Sequence, residues 1–291
     1  MTIQQAYQQL LVQLYELYEP GEAANIADMV IEHLSGFRKI DRIAHKAFAL
    51  NEQQEINLQK IVTELMQHKP VQYAIGEAWF MNMNLRVNEH VLIPRPETEE
   101  LVDWVITDMK SMNQSDVSLL DIGTGSGCIP IAIKKKLPHT EVAATDISEE
   151  ALQVAKINSI EQNTLVDFLH ANILNEADWK QLGHYDIIVS NPPYIAQSEQ
   201  QAMNKNVLDY EPHIALFVPD NDALLFYKAI AQFSKNHLNP GGKIYVEINE
   251  TMGEQTVQLF LQNGFNNVEL KKDMQGKDRM VKASLLVNWS R

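Results

Sequence analysis

The sequence predicts an α/β fold in two parts, a small helical bundle in residues 1–75 and a larger domain with a parallel sheet in residues 95–291. Three observations predict this fold. Apolar residues recur at helical spacing in the first part, apolar runs alternate with helical segments in the second, and a glycine-rich turn follows the first of these runs. The stretch from Gln72 to Ile93 alternates more and predicts a β-hairpin, placed at residues 76–94, that links the two parts.

The bundle is expected to hold three helices, each with one apolar face and a glycine or proline at its end. They run from Ile3 to Tyr18, from Ile26 to Leu34 and from Ile56 to Met66, and they stop at Pro20-Gly21, Gly36 and Pro70. The larger domain has four strand-like runs, Val117–Leu120, Val142–Thr145, Asp186–Val189 and Lys243–Ile248, and helical segments near residues 127–136, 148–160, 222–237 and 251–262. After a turn at Asn263-Gly264-Phe265, two closing strands are expected at Val268–Leu270 and Val281–Val287.

The composition excludes several classes of protein. The 291 residues exceed the usual size of one domain, and 45% hydrophobic and 21% charged residues are ordinary for a globular chain. The net charge of −14 disfavours a protein that grips long nucleic acids, because phosphate binding normally uses a basic surface. No apolar stretch reaches the roughly 20 residues that span a bilayer, and the first residues lack a signal-peptide pattern, so a cytoplasmic location without membrane binding is expected. The lone Cys128 and the scattered histidines predict no disulfide and no metal site.

A glycine-rich turn follows the first predicted strand and opens a helix. Glycine lets the backbone approach a ligand, and the helix start offers free amides. The candidate cofactor-binding residues of this turn are Gly123, Thr124, Gly125, Ser126 and Gly127. A purely structural turn is the alternative interpretation.

The residues around this turn indicate which cofactor it binds. Asp146 ends the second strand 19 residues after Gly127, where an acid can bind both hydroxyls of a ribose. Cys128 stands where the dinucleotide fingerprint has its third glycine. This departure favours S-adenosylmethionine, a donor with an adenosine and no pyrophosphate. Asn172 follows the third strand and could contact the adenine edge, although such an Asn is as often an Asx-turn residue.

Asn191, Pro192, Pro193 and Tyr194 follow the apolar run Ile187–Val189. The prolines predict a buried strand that ends abruptly, so Asn191 lies at the carboxyl edge of the sheet, where open α/β sheets bind ligands. The Asn191 side-chain oxygen and the Pro192 carbonyl can each accept a hydrogen bond from a planar NH2 group and aim its lone pair at a methyl donor. These two are the candidate catalytic residues, the four together are the candidate substrate-binding residues, and Asn191 is also a candidate for cofactor binding. A proline-stiffened turn with Tyr194 packed beneath it is the structural alternative.

The Asn-Pro-Pro-Tyr pattern fixes the type of nucleophile and leaves its identity open. Enzymes that methylate adenine N6, guanine N2 or an amide nitrogen share it. An enzyme acting on DNA or RNA would need a basic face or an inserted recognition domain, and the sequence predicts neither. A scaffold that binds the donor or a translation factor without turnover is a further alternative, against which the intact pattern argues.

Several blocks of the sequence resemble, in order, the release factor glutamine methyltransferase family. These blocks are Pro70 with Gln72, Tyr73 and Gly76; Val91 to Glu99; Asp121 to Gly127; Ser190 to Ile195; Tyr210 to Pro212 with Ala215 and Leu216; and Gly276 to Arg279. The similarity covers essentially the whole chain, including its helical first part.

This resemblance implies a seven-stranded Rossmann-like class I methyltransferase domain behind an N-terminal helical domain that helps to recognise the substrate. It implies methyl transfer from S-adenosylmethionine, giving S-adenosylhomocysteine without a metal, to the glutamine side-chain amide in the Gly-Gly-Gln loop of peptide chain release factors. By position, Gly123 to Gly127 would line the donor, Asp146 would bind the ribose and Asn191 to Tyr194 would hold the glutamine. Release factors are then the expected partners in translation termination, nucleic acid is not bound directly, and a monomer is expected.

Two positions depart from the family pattern, both near the expected adenine. Asn172 stands where many members have an acid, and Ile173 stands where some have an aromatic residue; both are cofactor-binding candidates. For Glu211 and Glu247, a direct catalytic role is the less favoured alternative to a structural one. These two acids and Arg95 have simple structural interpretations. These are a surface ion pair for Arg95, an anchor of the stretch 195–215 for Glu211, and a structural hydrogen bond for Glu247.

Overall fold

The computed structural model describes residues 1–112 and 117–285. The chain forms two compact units. The first comprises Met1–Glu77 and Asn204–Tyr210, and the second comprises Ala78–Met203 and Glu211–Arg291. The sequence assigns Asn204–Tyr210 to the second domain, whereas these residues group with the first unit, where the Tyr210 hydroxyl donates to the Gln67 carbonyl at 2.7 Å.

The described residues contain helices and strands that alternate in the second half of the chain. The helices are α1 (Ile3–Leu14), α2 (Pro20–Ser35), α3 (Lys39–Ala44), α4 (Glu52–Leu65), α5 (Val71–Ile75), α6 (Pro96–Ser111), α7 (Cys128–Lys136), α8 (Glu149–Glu161), α9 (Lys205–Leu208), α10 (Leu225–His237) and α11 (Gly253–Gln262). The strands are β1 (Glu77–Phe80), β2 (Met83–Arg86), β3 (Ser118–Ile122), β4 (Glu141–Asp146), β5 (Asp167–His170), β6 (Tyr185–Ser190), β7 (Ile195–Ala196), β8 (Phe217–Val218), β9 (Leu238–Glu247), β10 (Phe265–Lys272) and β11 (Asp278–Leu285). Short 3-10 helices lie at Asp178–Gln181, Gln197–Ala202 and His213–Ala215.

The first unit is built from α1, α2, α4 and α5 around an apolar core. Thr2 and Asn51 cap α1 and α4 through reciprocal capping boxes, which satisfy amides that a helix start leaves free. The first predicted helix is too long, because α1 ends at Leu14 and Pro20 begins α2 instead of only ending its predecessor. Proline suits the first turn of a helix, where its missing N–H costs no hydrogen bond.

The second unit contains a seven-stranded sheet with the order β10-β11-β9-β6-β3-β4-β5. β11 runs antiparallel to both of its neighbours, and the other pairs are parallel. This confirms the expected α/β class with a seven-stranded Rossmann-like sheet. Ser190, the last residue of β6, lies opposite Ile122 of β3 and Val246 of β9, so these three strands end side by side.

Apolar side chains cover both faces of this sheet. α6, α7 and the β1–β2 hairpin pack on one face, while α10 and α11 pack on the other. Asn158 of α8 is fully buried and joins the hairpin to the glycine turn: it accepts from the Arg86 amide at 2.6 Å and donates to the Arg86 carbonyl at 3.0 Å and the Ser126 carbonyl at 2.8 Å. The hairpin therefore helps to fix the backbone of the turn.

Several element boundaries differ from the sequence prediction. The hairpin strands occupy only Glu77–Arg86, and the start of the stretch expected to alternate forms the helix α5 instead. The short helix α3 has no counterpart in the prediction. The last predicted strand overlaps β11, and its end at 286–287 lies outside the described residues. Within residues 1–112 and 117–285, the helices fall short of the length and apolar character needed to cross a membrane.

Candidate active site

The carboxyl edge of the sheet borders a cavity of about 200 Å³ in the second unit. The turns after β3, β4, β5 and β6 contribute to its wall. Residues 90–92, 94, 95, 98, 214 and 215 and Phe226 also line it. The predicted site residues along this wall are Gly123, Thr124, Gly125, Ser126, Asp146, Asn172, Ile173, Asn191, Pro192 and Pro193.

The glycine turn needs left-handed backbone at three positions. Gly123, Gly125 and Gly127 have φ angles of 75°, 53° and 79°, which L side chains rarely adopt. A Cβ added at Gly123 or Gly125 would meet no atom within 4 Å, so these two glycines leave open space beside the backbone. A Cβ at Gly127 would lie 2.9 Å from the Ile131 side chain, so Gly127 serves the packing of α7.

Asp146, at the end of β4, holds the glycine turn in place. Its Oδ2 accepts from the Gly125 amide at 2.8 Å, and its Oδ1 accepts from the Ser148 amide at 3.0 Å. Burial raises the pKa of this carboxyl, and the backbone amides oppose the rise. Each carboxylate oxygen has a second lone pair, so the group can still accept hydrogen bonds from a diol.

Asp121, at the penultimate position of β3, is a buried acid next to the cavity-lining Ile122 and Gly123, and the sequence did not single it out. It is fully buried beneath the turn, and no described residue forms a hydrogen bond of ordinary geometry with either carboxylate oxygen. Burial raises its pKa to about 7, with the nearby Thr124 hydroxyl opposing and the Asp146 carboxylate adding to the rise. A buried carboxylate without a partner is costly, and it suits a cationic ligand group that supplies the missing charge and donors.

Asn172 and Ile173 follow β5 and both line the cavity. The Asn172 side-chain oxygen accepts from the Leu174 amide at 2.9 Å, which is the Asx-turn that the sequence left open. Ile173 is buried and presents an apolar surface. A flat, largely apolar group such as a purine fits this part of the wall.

Asn191 follows β6 directly and is half-buried. Its side-chain Nδ2 donates to the Thr98 hydroxyl at 3.0 Å, and Thr98 donates in turn to Oε2 of Glu247 at 2.6 Å. Within residues 1–112 and 117–285, the Asn191 Oδ1 accepts no hydrogen bond. The amide oxygen is therefore the end of Asn191 that is left for a further partner.

Tyr194 differs from the other residues of its motif. In the part of the chain that the structure describes, it lies outside the cavity wall, as does Gly127. Its hydroxyl donates to Oε1 of Glu247 at 3.0 Å, and its ring packs against the apolar cluster beneath the sheet edge. The proposed substrate contact of Tyr194 stays a prediction, whereas its hydrogen bond to Glu247 is an observed structural contact.

Arg95 and Glu211 form an ion pair beside the cavity. Arg95 Nη2 lies 2.5 Å from Glu211 Oε1, and the Ile93 amide donates to Oε2 at 3.4 Å. The Glu211 side chain is 1% exposed and that of Arg95 is 34% exposed. The sequence suggested a surface ion pair for Arg95 and an anchor for Glu211; the pair is partly buried and ties Glu211 to the segment before α6.

Comparisons with known proteins identify the family. Residues 5–76 match the PrmC N-terminal domain, and residues 105–210 match the methyltransferase small domain. A release factor glutamine methyltransferase of Flavobacterium psychrophilum is 40% identical over 98% of this chain and 99% of its own length. The chain belongs to the release factor glutamine methyltransferase family. The Bacteroides thetaiotaomicron member is 42% identical over 93% of this chain and 96% of its own.

A solved structure supports the fold of this family member. A crystal structure of the hMettl16 catalytic domain, in complex with the MAT2A 3′UTR hairpin 6, covers 83% of this chain and 85% of its own, with a TM-score of 0.53 and 15% identity. At this identity the likeness concerns the fold alone.

The residues around the cavity fit S-adenosylmethionine, which this methyltransferase family implies. The turn offers close backbone approach at Gly123 and Gly125, and Asp146 offers acceptors for a diol. The unpartnered Asp121 carboxylate is buried just before this turn in the chain. No group of three or more His, Cys, Asp or Glu side chains arranged for a metal ion occurs within the described residues. Whether the protein uses a metal stays a prediction.

Proposed function

We propose that the chain transfers a methyl group from S-adenosylmethionine to the side-chain amide nitrogen of the glutamine in the Gly-Gly-Gln loop of peptide chain release factors. The relatives that share nearly its full length carry the name of this activity. The single observation that carries the proposal is Asn191: it lies on the cavity wall with the glycine turn, and its amide nitrogen is already bonded to Thr98. The oxygen is left to accept from an NH2 group.

S-adenosylmethionine supplies an electrophilic methyl carbon attached to a sulfonium. The chain's own residues orient the nucleophile: Asn191 Oδ1 and the Pro192 carbonyl accept the two N–H bonds, so the nitrogen lone pair points out of the amide plane. These acceptors bind more strongly as the nitrogen gains positive charge in the transition state. Orientation supplies much of the rate enhancement in such a transfer, and the methylated nitrogen loses its proton to solvent without a strong base.

The apolar wall formed by Ile173 and Ile122 excludes water from the donor side of the cavity. Asp146 and Asp121 lie at the glycine turn, where we propose that they bind the ribose hydroxyls and the cationic end of the donor respectively. We also propose that residues 1–77 help to hold the release factor, as their match to the family's N-terminal domain suggests. A cytoplasmic location and a monomeric state stay predictions.

The test is to incubate the protein with methyl-labelled S-adenosylmethionine and a purified release factor, and to locate the label by mass spectrometry of the Gly-Gly-Gln peptide. A release factor with this glutamine replaced by alanine is the matched control. The proposal requires one added methyl group on the glutamine and none on the control. Label on DNA or RNA, offered in a parallel reaction, with none on the release factor would favour the nucleic-acid alternative.

A further inference from the structure

Three segments that are far apart in the chain meet behind Asn191. Thr98 lies in the first turn of α6, Asn191 follows β6, and Glu247 ends β9. β6 and β9 are neighbours with Ser190 opposite Val246, so the residues that follow these two, Asn191 and Glu247, lie side by side at the sheet edge. Thr98 and Glu247 are 2% and 1% exposed, so water does not compete for their hydrogen bonds.

The hydrogen bonds that join Asn191, Thr98 and Glu247 run in one direction from donor to acceptor. The Thr98 hydroxyl has one proton, which it donates to the Glu247 carboxylate at 2.6 Å. Its oxygen then offers only lone pairs to Asn191, so the Asn191 side chain has to present its N–H. Rotating the Asn191 amide by half a turn would bring its oxygen against the lone pairs of Thr98, which is repulsive. The hydrogen bond from Thr98 to Glu247 therefore fixes which end of the Asn191 amide lies toward Thr98.

Two hydroxyl donors face the Glu247 carboxyl group. Tyr194 donates to Oε1 at 3.0 Å while Thr98 donates to Oε2. Burial raises the pKa of Glu247, and these two donors and the charge of Arg279 oppose the rise. Burial and the neighbouring Glu247 charge raise the pKa of the Tyr194 hydroxyl far above its ordinary value, so it remains a donor. A carboxylate cannot donate a hydrogen bond, so Thr98 donates to Glu247 and Asn191 donates to Thr98.

We propose that Thr98 and Glu247 are positioning residues that act through Asn191, holding its amide so that Oδ1 accepts from the substrate NH2 group. This inference rests on the proposed function for the identity of the substrate. It gives Glu247, for which the sequence favoured a structural hydrogen bond, a role in orienting Asn191 through Thr98. Tyr194 supports the same arrangement by donating to the other oxygen of Glu247.

The first experiment compares Thr98→Val with Thr98→Ser. Valine keeps the shape and removes the hydroxyl, while serine keeps the hydroxyl. We expect Thr98→Val to lower kcat between about 10- and 100-fold, the effect of a misplaced group at a reacting centre, and to leave the Kd of S-adenosylhomocysteine within about two-fold. Thr98→Ser should restore most of kcat. Thr256→Val is the matched control, since Thr256 is also buried near a helix start and donates only to the Met252 carbonyl.

A double-mutant cycle separates positioning from a purely structural role. If Thr98 acts through Asn191, Thr98→Val should cost nothing further in kcat once Asn191→Ala is present. An additive loss of kcat in the double variant would overturn the inference, as would a normal kcat in Thr98→Val. Glu247→Gln keeps the shape and can donate to Thr98, so it should reduce kcat in wild type and not in the Asn191→Ala background.

Side-chain amide NMR keeps the inference testable if the release factor is not the substrate. In the ¹⁵N-labelled full chain, the Asn191 NH2 signals are assigned by their loss in Asn191→Ala. Hydrogen exchange of these signals should be slow in wild type and in Thr98→Ser, and at least about ten-fold faster in Thr98→Val. Equal exchange in all three would refute the positioning role whatever the acceptor is. Failed labelling of the release factor with the expected exchange pattern would count against the proposed function alone.

Discussion

Replacing Asp121 by Asn should make the protein more stable at neutral pH. The Asp121 carboxyl is fully buried without a hydrogen-bond partner among the described residues, and its pKa lies at about 7 instead of 3.8. At 1.36 kcal/mol per pH unit, this difference corresponds to about 4 kcal/mol of unfolding free energy. Asparagine has the shape of the protonated acid and carries no charge, so it avoids this cost.

The sign follows from proton linkage. Between pH 3.8 and pH 7 the folded protein holds a proton on Asp121 that the unfolded chain has lost, so the free energy of unfolding falls as pH rises. Below this window the two states are protonated alike, and above it the whole cost is present. From pH 5 to pH 8, wild type should lose about 2.5 kcal/mol relative to Asp121→Asn.

The assay is urea unfolding of wild type and Asp121→Asn at pH 5, 6, 7 and 8, without ligand. Asp186→Asn is the matched control with the opposite sign. Burial raises the pKa of Asp186, but hydrogen bonds from Ser118 and Asn239 outweigh it and leave the pKa below 3.8. Asp186 therefore stays ionised from pH 5 to pH 8, and this variant should lose the same amount of stability at each of the four pH values. If the free energies of unfolding of wild type and Asp121→Asn changed in parallel with pH, the reasoning would be refuted.

The Asp121 carboxylate should also make ligand affinity depend on pH. If the charged form of Asp121 receives the ammonium group of S-adenosylhomocysteine, the ionised fraction of a group with pKa about 7 sets the affinity. Calorimetry should then show wild-type affinity rising roughly eight-fold from pH 6 to pH 7.5. The affinity of Asp121→Asn should be weaker and flat over this range. A pH-dependent affinity in the variant would assign the effect to another group.

Three further predictions concern neighbouring residues. Asn191→Ala should lower kcat by about 100-fold or more while the Kd of S-adenosylhomocysteine changes little; near-normal turnover would remove Asn191 from the mechanism. Asn158→Ala removes three hydrogen bonds, one buried and two partly buried, and should lower the free energy of unfolding by about 3 kcal/mol in urea titrations. A loss under about 1 kcal/mol would contradict this. Gly127→Ala places a methyl 2.9 Å from the Ile131 side chain at positive φ and should cost about 1–3 kcal/mol. The control is Gly21→Ala, in α2, where an added Cβ would meet no atom within 4 Å. This control should stabilise the protein by about 0.5–1 kcal/mol. Equal Tm shifts in Gly127→Ala and Gly21→Ala would contradict the steric argument.

Periodicity and topology explain how much of the fold the sequence could predict. Alternating apolar runs and helical segments specify βαβ units, whose parallel strands end at the same edge of the sheet. The glycine turn, Asp146 and Asn191 were therefore expected close together. In the structure, residues of the turn, Asp146 and Asn191 line one cavity. Short elements were harder to predict, since α3 spans only six residues and shows little helical periodicity. The grouping of Asn204–Tyr210 with the first unit depends on tertiary contacts that local pattern does not encode.

The parts of the site that the sequence missed depend on contacts between distant residues. Thr98 and Glu247 are separated by 149 positions, and nothing local shows that one donates to the other. The Tyr194 hydroxyl points to Glu247 for the same reason, whereas the motif alone suggested a substrate contact. A polar residue at the end of an apolar strand, as Glu247 is, was the one signal available in the sequence.

Asp121 and Glu247 show how partners, and not burial alone, separate the roles of two acids. Both are buried, and burial raises both pKa values. Glu247 receives two hydroxyl donors, so its charge is satisfied inside the protein and can set the direction of hydrogen bonds. Asp121 receives no hydrogen bond from a described residue, so its charge costs stability unless a cation binds beside it. The first acid is therefore suited to orienting Asn191, and the second to coupling ligand binding to stability.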